Sequence, residues 1–254
     1  FELGRNFRNE GADSTHNPEF TSLEVYQAYG DYTSMRTLTQ ELVCAAAQAI
    51  HGQPVVPRPD GTSLRLDGTW RVLTVHEAVS QAIGVEITPD TPLAQLQDLC
   101  REHAVHYTMS MTSGDLVTEL YDDFVEPHTT EPTFYTDFPV ETSPLTRRNR
   151  RNPLLAERWD LVAFGMELGT AYTELTDPVD QRQRLTEQSL RAAAGDPEAM
   201  EVDEEFLSAL EFGMPPTGGL GLGIDRIAMF LLGAPIRETL AFPFVRPSAH
   251  TGKP

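Results

Sequence analysis

Phe7-Arg8-Asn9-Glu10-Gly11, followed by Thr15-His16-Asn17-Pro18-Glu19-Phe20-Thr21, gathers an arginine, amides, a histidine, carboxylates and an aromatic ring into one short stretch. Phe1-Glu2-Leu3-Gly4 before it reads as part of a strand and Phe20–Tyr26 as a second extended segment, which places the polar residues on a hairpin loop. These residue types suit the activation of a carboxylate by ATP. A guanidinium can bridge a substrate carboxylate and the α-phosphate, an acceptor can take the adenine amino group, and a ring can lie on the base. A solvent-exposed hairpin tip is equally polar, so the residue types alone leave both readings open.

Working outward, Asp31 is a candidate cap for an amphipathic helix whose apolar positions, Met35, Leu38, Leu42, Ala45, Ala46 and Ile50, recur at three- and four-residue steps. Residues Gln53–Thr69 are rich in Pro, Gly and Asp and read as a connector with a short hairpin. Val75–Ile83, Pro92–His103 and Ser113–Val125 follow as helices, giving a helical insertion over about residues 70–130 between two parts of a sheet. Strands are expected at Thr133–Pro139, Arg158–Phe164 and Met166–Leu175. A helix then has Asp177 as cap, Pro178 at its first position and Gly195 at its stop, and Asp203 opens another through Phe212.

Near the end, Gly219-Leu220-Gly221-Leu222-Gly223 alternates glycine with leucine before the apolar helix Ile224–Leu232, which ends at Gly233. Such a strand has one face without side chains, against which a flat ligand can lie. The helix begins with Asp225-Arg226, and an arginine at that junction can stack on a purine and reach its phosphates, or serve only in a salt-bridged cap. The stretch is neither a dinucleotide fingerprint nor a Walker loop, since no GxGxxG opens the helix and no Lys-Ser/Thr follows the glycines. Asp160 and Glu167, an odd number of residues apart, share a site only across a turn, for which Gly165 is the natural pivot. Together they could hold Mg²⁺ with nucleotide phosphates, or be surface acids, as could Glu174.

Composition narrows the classes. With 254 residues, 40% of them hydrophobic, the chain can bury a full core as one large domain or two small ones. No apolar run is long enough to span a membrane, and the first residues do not read as a signal peptide. A net charge of -19 argues against indiscriminate nucleic-acid binding through a broad basic surface. The one basic cluster, Arg147, Arg148, Arg150 and Arg151, is either a solvated loop or a phosphate grip for ATP or a tRNA end. Cys44 and Cys100 lack metal or CxxC spacing, which favours a reduced, cytoplasmic context.

Taken together, FRNEG (7–11) with THNPEFT (15–21) resembles motif 2 of class II aminoacyl-tRNA synthetases in its lysine-specific form, and GLGLGIDR (219–226) resembles motif 3. FPVETSPLTRR (138–148) and ELGTAYTELTDPVDQRQR (167–184) are similar to lysyl-tRNA synthetases as well. The resemblance runs over nearly the whole chain and implies an α+β fold, with an antiparallel sheet carrying the site and helices behind it. Motif 2 would lie at residues 1–32 and motif 3 at 217–233. The implied activity is ATP-dependent conversion of L-lysine to lysyl-adenylate and its transfer to the acceptor end of tRNA(Lys), with Mg²⁺ as cofactor.

Residue by residue, the resemblance implies that Arg8 bridges the lysine carboxylate and the α-phosphate and that Glu10 receives the adenine amino group. Phe20 and Arg226 would sandwich the adenine, with Asn17 at its edge and His16 toward the distal phosphates. Asp160 and Glu167 would hold the metal, Glu167 facing ATP, while Glu24, Tyr26 and Glu174 would surround the ε-ammonium. The chain departs from the family's common pattern at Asp160, where many relatives carry Glu, and at Thr170, where many carry Asn. Gly221 matches the tRNA synthetases, whereas relatives that lysylate elongation factor P tend to carry alanine. Motif 1, the homodimer interface, the α-amino-binding strand and an N-terminal OB-fold would precede residue 1, so the chain is expected to be part of a longer polypeptide. Alternatives are a lysine-activating module serving another acceptor, including fusions to a lysyl-phosphatidylglycerol synthase or protein lysylation, and a non-catalytic binding module.

Overall fold

The computed structural model describes residues 1–8, 16–193 and 200–243. Strands β1 (Glu2–Phe7) and β2 (Glu19–Ala28) open the chain and pair antiparallel, from Glu2 opposite Glu24 to Phe7 opposite Glu19. Helix α1 (Tyr32–His51) starts at Asp31, whose carboxylate accepts from the backbone N–H groups of Thr33 and Ser34 while the Asp31 N–H donates to the Ser34 hydroxyl. This capping box satisfies donors that the first helical turn leaves open. Met35, Thr39, Val43 and Ala47, one turn apart, form the buried stripe, and Gly52 ends the helix in the left-handed conformation.

A hairpin of β3 (Val55–Pro57) and β4 (Ser63–Arg65) occupies the connector. β5 (Arg71–Thr74) follows and runs parallel to β6 (Thr133–Thr136). Between them lie α2 (Val75–Ile83), α3 (Leu93–Glu102) and α4 (Ser113–Phe124), so these helices form the crossover that a parallel pair requires. The sequence reading did not foresee β5, because four residues are too few for alternation to register. β6 stops before the expected Pro139, since Asp137 takes a φ of +59° and turns the chain out of the extended conformation.

β7 (Arg158–Ala163) and β8 (Met166–Thr173) form a hairpin across Phe164 and Gly165, with φ of +52° and +70°. Positive φ at both turn residues matches the twist of the flanking strands. After α5 (Pro178–Ala193) and α6 (Glu204–Phe212) come β9 (Thr217–Gly223), α7 (Ile224–Leu232) and α8 (Ile236–Thr239). Asp177 and Asp203 accept from the first-turn N–H groups of Val179 and Phe206, as a cap should. The expected stop at Gly195 lies outside the described residues.

The large sheet has the order β1-β2-β9-β8-β7-β6-β5, antiparallel throughout except between β5 and β6. The fold is α+β, a mostly antiparallel sheet flanked by helices. One face of the sheet, through Trp159, Leu161, Ala171, Leu220 and Leu222, packs on Met35 and Val43 of α1 and Phe230 of α7. On the other face, Tyr135 and Val162 pack under α2–α4. Those helices cover only the β5–β7 half, and a cleft opens over β2, β9 and β8. Both cysteines are free, and no helix among the described residues is long and apolar enough to cross a membrane.

Candidate active site

Strand register sets the polar side chains in rows. Glu24 lies opposite Gly221, Gly221 opposite Thr170 and Thr170 opposite Asp160; in the next row Tyr26, Gly219, Tyr172 and Arg158 face one another in turn. Residues paired across a ladder project from the same face, so both rows stand on the cleft side. The cleft has a volume of about 580 Å³, and the glycines of β9 form its floor. A Cβ on Gly219 would lie 1.8 Å from Glu174 Oε1, and one on Gly221 would lie 3.4 Å from Glu24 Oε1. The missing side chain at Gly219 is therefore what admits the Glu174 carboxylate, whereas a Cβ on Gly221 would only come into ordinary contact with Glu24.

Those carboxylates define one end of the cleft. The Glu174 N–H donates to the Thr217 carbonyl at 2.8 Å, which fixes the backbone that carries the side chain. Burial, and secondarily the charge of Glu24, pushes the Glu174 carboxyl up to about 7. The Tyr26 phenol is raised by burial and then by Glu174 and Glu24. Two half-buried acids beside the solvent-exposed Tyr26 ring are mutually unfavourable until a cation lies among them.

At the other end, the Arg8 guanidinium lies 5.2 Å from the centre of the Phe20 ring. Arg226 donates through Nη1 to the Glu167 carbonyl at 2.9 Å, and its Nη2 is 3.0 Å from His16 Nε2. Since guanidinium nitrogens only donate, that ring nitrogen accepts. The Thr21 N–H donates to Asp225 Oδ2 at 2.7 Å, pinning the start of α7 to β2. The Asn17 amide donates to the Glu19 carbonyl at 2.5 Å. At the rise of a strand, Phe20 and Glu24 stand about 13 Å apart. That span suits an extended amino acid joined to a nucleotide phosphate.

Asp160 and Glu167 share one face of the sheet through a feature that spacing alone does not reveal, although of the two only Glu167 lines the cleft and Asp160 is buried beside it. Leu161 pairs with Gly169 but Val162 with Glu167, leaving Leu168 as the extra residue of a β-bulge. The bulge reverses the alternation, so Glu167 shares a face with Thr170 although they are three residues apart. Burial and then the neighbouring Asp160 push the Glu167 carboxyl upward, a repulsion that a hard cation would relieve. Asp160 already accepts at Oδ1 from Arg158 Nε (3.0 Å) and Thr170 Oγ1 (2.6 Å), and at Oδ2 from Arg158 Nη2 (2.7 Å). By lone-pair count one site remains on Oδ2. Among the described residues no group of three or more His, Cys, Asp or Glu side chains is arranged to hold a metal. The donor set thus fits Mg²⁺ only where phosphate and water fill most positions, which is that ion's usual preference.

Several site residues escaped the sequence reading. Arg158, over the Phe138 ring at 4.1 Å and 5.9 Å from that of Tyr172, places its charge against Asp160 behind the residues that line the cleft. Its signal was the two-residue step to Asp160, which puts both on one face of a strand. Glu126 has its carboxyl raised by burial and then by the charge of Asp160, which places it beside this pair. It arrives from the helical insertion, far off in sequence. Within the basic cluster, Arg150 lies 3.3 Å from the buried Glu157 and Arg148 lies 3.4 Å from Asp180. The Arg147 N–H donates to the Thr173 carbonyl, so this loop props the end of β8 next to Glu174. Glu10 lies outside the described residues.

A family model described as tRNA synthetases class II (D, K and N) matches residues 1–246. A protein of Gordonia bronchialis named lysylphosphatidylglycerol biosynthesis bifunctional protein LysX is 60% identical over 98% of this chain and 22% of its own length. Proteins of the same name from Rhodococcus opacus and Mycolicibacterium vanbaalenii are 56% and 58% identical, each over 97% of the chain and 22% and 23% of their own lengths. The chain therefore spans less than a quarter of these relatives.

Proposed function

Because the chain belongs to the class II tRNA synthetases of the D, K and N type, we propose that it activates L-lysine with ATP, as the lysine-activating module of a protein of lysylphosphatidylglycerol biosynthesis. A lysine carboxylate oxygen attacks the α-phosphorus, the bond to the bridging oxygen breaks, and pyrophosphate leaves with that electron pair. Arg8 offsets the repulsion between carboxylate and α-phosphate, while Phe20 and Arg226 hold the adenine, with Asn17 at its edge, Glu10 receiving its amino group and His16 toward the distal phosphates. Glu24, Tyr26 and Glu174 receive the ε-ammonium. Mg²⁺, when bound, neutralises the phosphate charge; Glu167, with Asp160 behind it, would face it. Without a covalent enzyme intermediate, these residues act by orientation and by placing charge where it develops.

The observation that carries the reading is the pairing of Glu174 with Glu24 at one end of the cleft, with Glu174 pushed up to about 7. A long side chain ending in a cation completes that arrangement, whereas an aspartate or asparagine side chain would add a third acid or a neutral amide. This separates lysine from the other two amino acids of the family description.

For the acceptor, the relatives' name favours the lipid route over supply of tRNA(Lys) to translation, the destination the sequence reading put first. Esterifying phosphatidylglycerol requires an activated lysyl carbonyl, and the adenylate, passed through the acceptor end of a tRNA, supplies one. We place the module in the cytoplasm and, in the full-length protein, in a homodimer. The test is lysine-dependent ATP–pyrophosphate exchange by the full-length gene product, followed by radiolabelled lysine, tRNA and phosphatidylglycerol vesicles. Label in the lipid supports this route. Exchange with label only in tRNA returns the function to translation, and exchange driven by another amino acid refutes lysine activation.

A further inference from the structure

Thr170 and Asp160, neighbours across the β7–β8 ladder, touch each other through their side chains. The Thr170 hydroxyl donates to Asp160 Oδ1 at 2.6 Å, nearer than its other acceptor, the Trp159 carbonyl at 3.2 Å. The same carboxylate is held from the other side by Arg158, through Nε at 3.0 Å and Nη2 at 2.7 Å. Asp160 is only 4% exposed, and the Arg158 guanidinium is wedged against the Phe138 ring at 4.1 Å. Unpairing a buried charge is strongly unfavourable, so Asp160 is not readily withdrawn from Arg158. A hydroxyl has a single proton, and here its shorter bond runs to the carboxylate.

We infer that Thr170 is a positioning residue: with Arg158 it clamps Asp160 behind the cleft, leaving Glu167, which lines it, as the principal protein ligand for the divalent cation. Glu167 differs from Asp160 because the bulge at Leu168 turns it to the cleft face without placing it against Arg158 as an ion pair. This division of labour rests on the proposed ATP chemistry of the cleft. Its consequence is that removing the Thr170 hydroxyl opens a second acceptor position on Asp160, at Oδ1 beside the one left on Oδ2, so the cation gains a carboxylate contact and binding tightens instead of weakening.

The experiment uses Mn²⁺ as probe, its electron paramagnetic resonance signal titrated with the full-length protein and a non-hydrolysable ATP analogue, without turnover. Thr170→Val is expected to raise Mn²⁺ affinity by about three- to tenfold, Thr170→Ser to keep the wild-type value, and Glu167→Gln to lose at least tenfold, about the effect of one good charge-assisted contact. Asp160→Glu, whose added methylene carries the carboxylate past Thr170, is expected to shift in the same direction as Thr170→Val. It decides the matter if the valine variant does not fold. Unchanged or weaker Mn²⁺ binding in Thr170→Val, or in Asp160→Glu in its place, overturns the inference. Metal results as expected, together with exchange driven by an amino acid other than lysine, would retain the clamp and refute the lysine reading alone.

Discussion

Gly219→Ala separates the architecture of the fold from the chemistry of the cleft. The new methyl carbon would sit 1.8 Å from Glu174 Oε1, 2.9 Å from its Cδ and 3.1 Å from Tyr26 Cε1. The first two atoms are the far end of a flexible side chain, while Gly219 itself does not require a left-handed backbone. Glu174 can thus rotate away at about 0.5–1.5 kcal/mol for an unfavourable rotamer. Alanine in a strand recovers roughly 0.5–1 kcal/mol of backbone entropy relative to glycine. The two effects nearly cancel, and the melting temperature should stay within a few degrees of wild type. Lysine, in contrast, loses a charge-assisted partner worth about 1.5–3 kcal/mol, or roughly 10- to 150-fold in affinity. Pyrophosphate exchange measured against lysine at saturating ATP should show KM for lysine rising by that factor, with KM for ATP within about twofold. An unchanged lysine KM refutes the placement of Glu174 at the ε-ammonium. A large fall in melting temperature shows instead that the glycine is needed by the sheet.

Titration gives an independent prediction. Glu174 is raised from an ordinary 4.5 to about 7, so ligand-free protein gains stability from it below 4.5 and loses that gain as pH rises through about 7. Lysine needs the ionised form, so its affinity should fall by up to about tenfold per unit as pH drops below 7, read by calorimetry; a flat profile from about pH 5.5 to 7.5 contradicts the shift. Arg158→Met strands the buried Asp160 charge and should cost about 3–5 kcal/mol in urea unfolding; a loss under 1 kcal/mol speaks against a buried pair. Arg226→Ala removes a cation at the purine end and should raise KM for ATP about 10- to 100-fold by the worth of such contacts, with KM for lysine nearly unchanged. Equal losses for both substrates would point to collapse of the cleft.

Much of this arrangement is written locally in the sequence. Asp31, Asp177, Asp203 and Gly233 mark helix ends because caps act within one turn, and the Gly-Leu alternation at 219–223 announces a strand with one bare face. Gly165 was legible as the pivot between β7 and β8, since only a turn could bring Asp160 and Glu167 together. What local patterns could not supply is register. The bulge at Leu168 depends on which residue of β8 goes unpaired against β7, and every side chain beyond it changes face accordingly. The clamp of Asp160 by Arg158 and Thr170 follows from that register. β5 is too short for its alternation to register and is placed by pairing with the distant β6, and Glu126 likewise reaches the site from a segment distant in sequence.

The central claim is that the acids Glu24 and Glu174 select a substrate by the cation at the end of its side chain. Pyrophosphate exchange with lysine compared with norleucine, which keeps the carbon chain and lacks the ε-amino group, tests it most directly. The structure predicts exchange with lysine and a loss of at least about a hundredfold in kcat/KM with norleucine, because a site built for a buried polar group is left with unpaired acids. Comparable exchange with the two amino acids would contradict it.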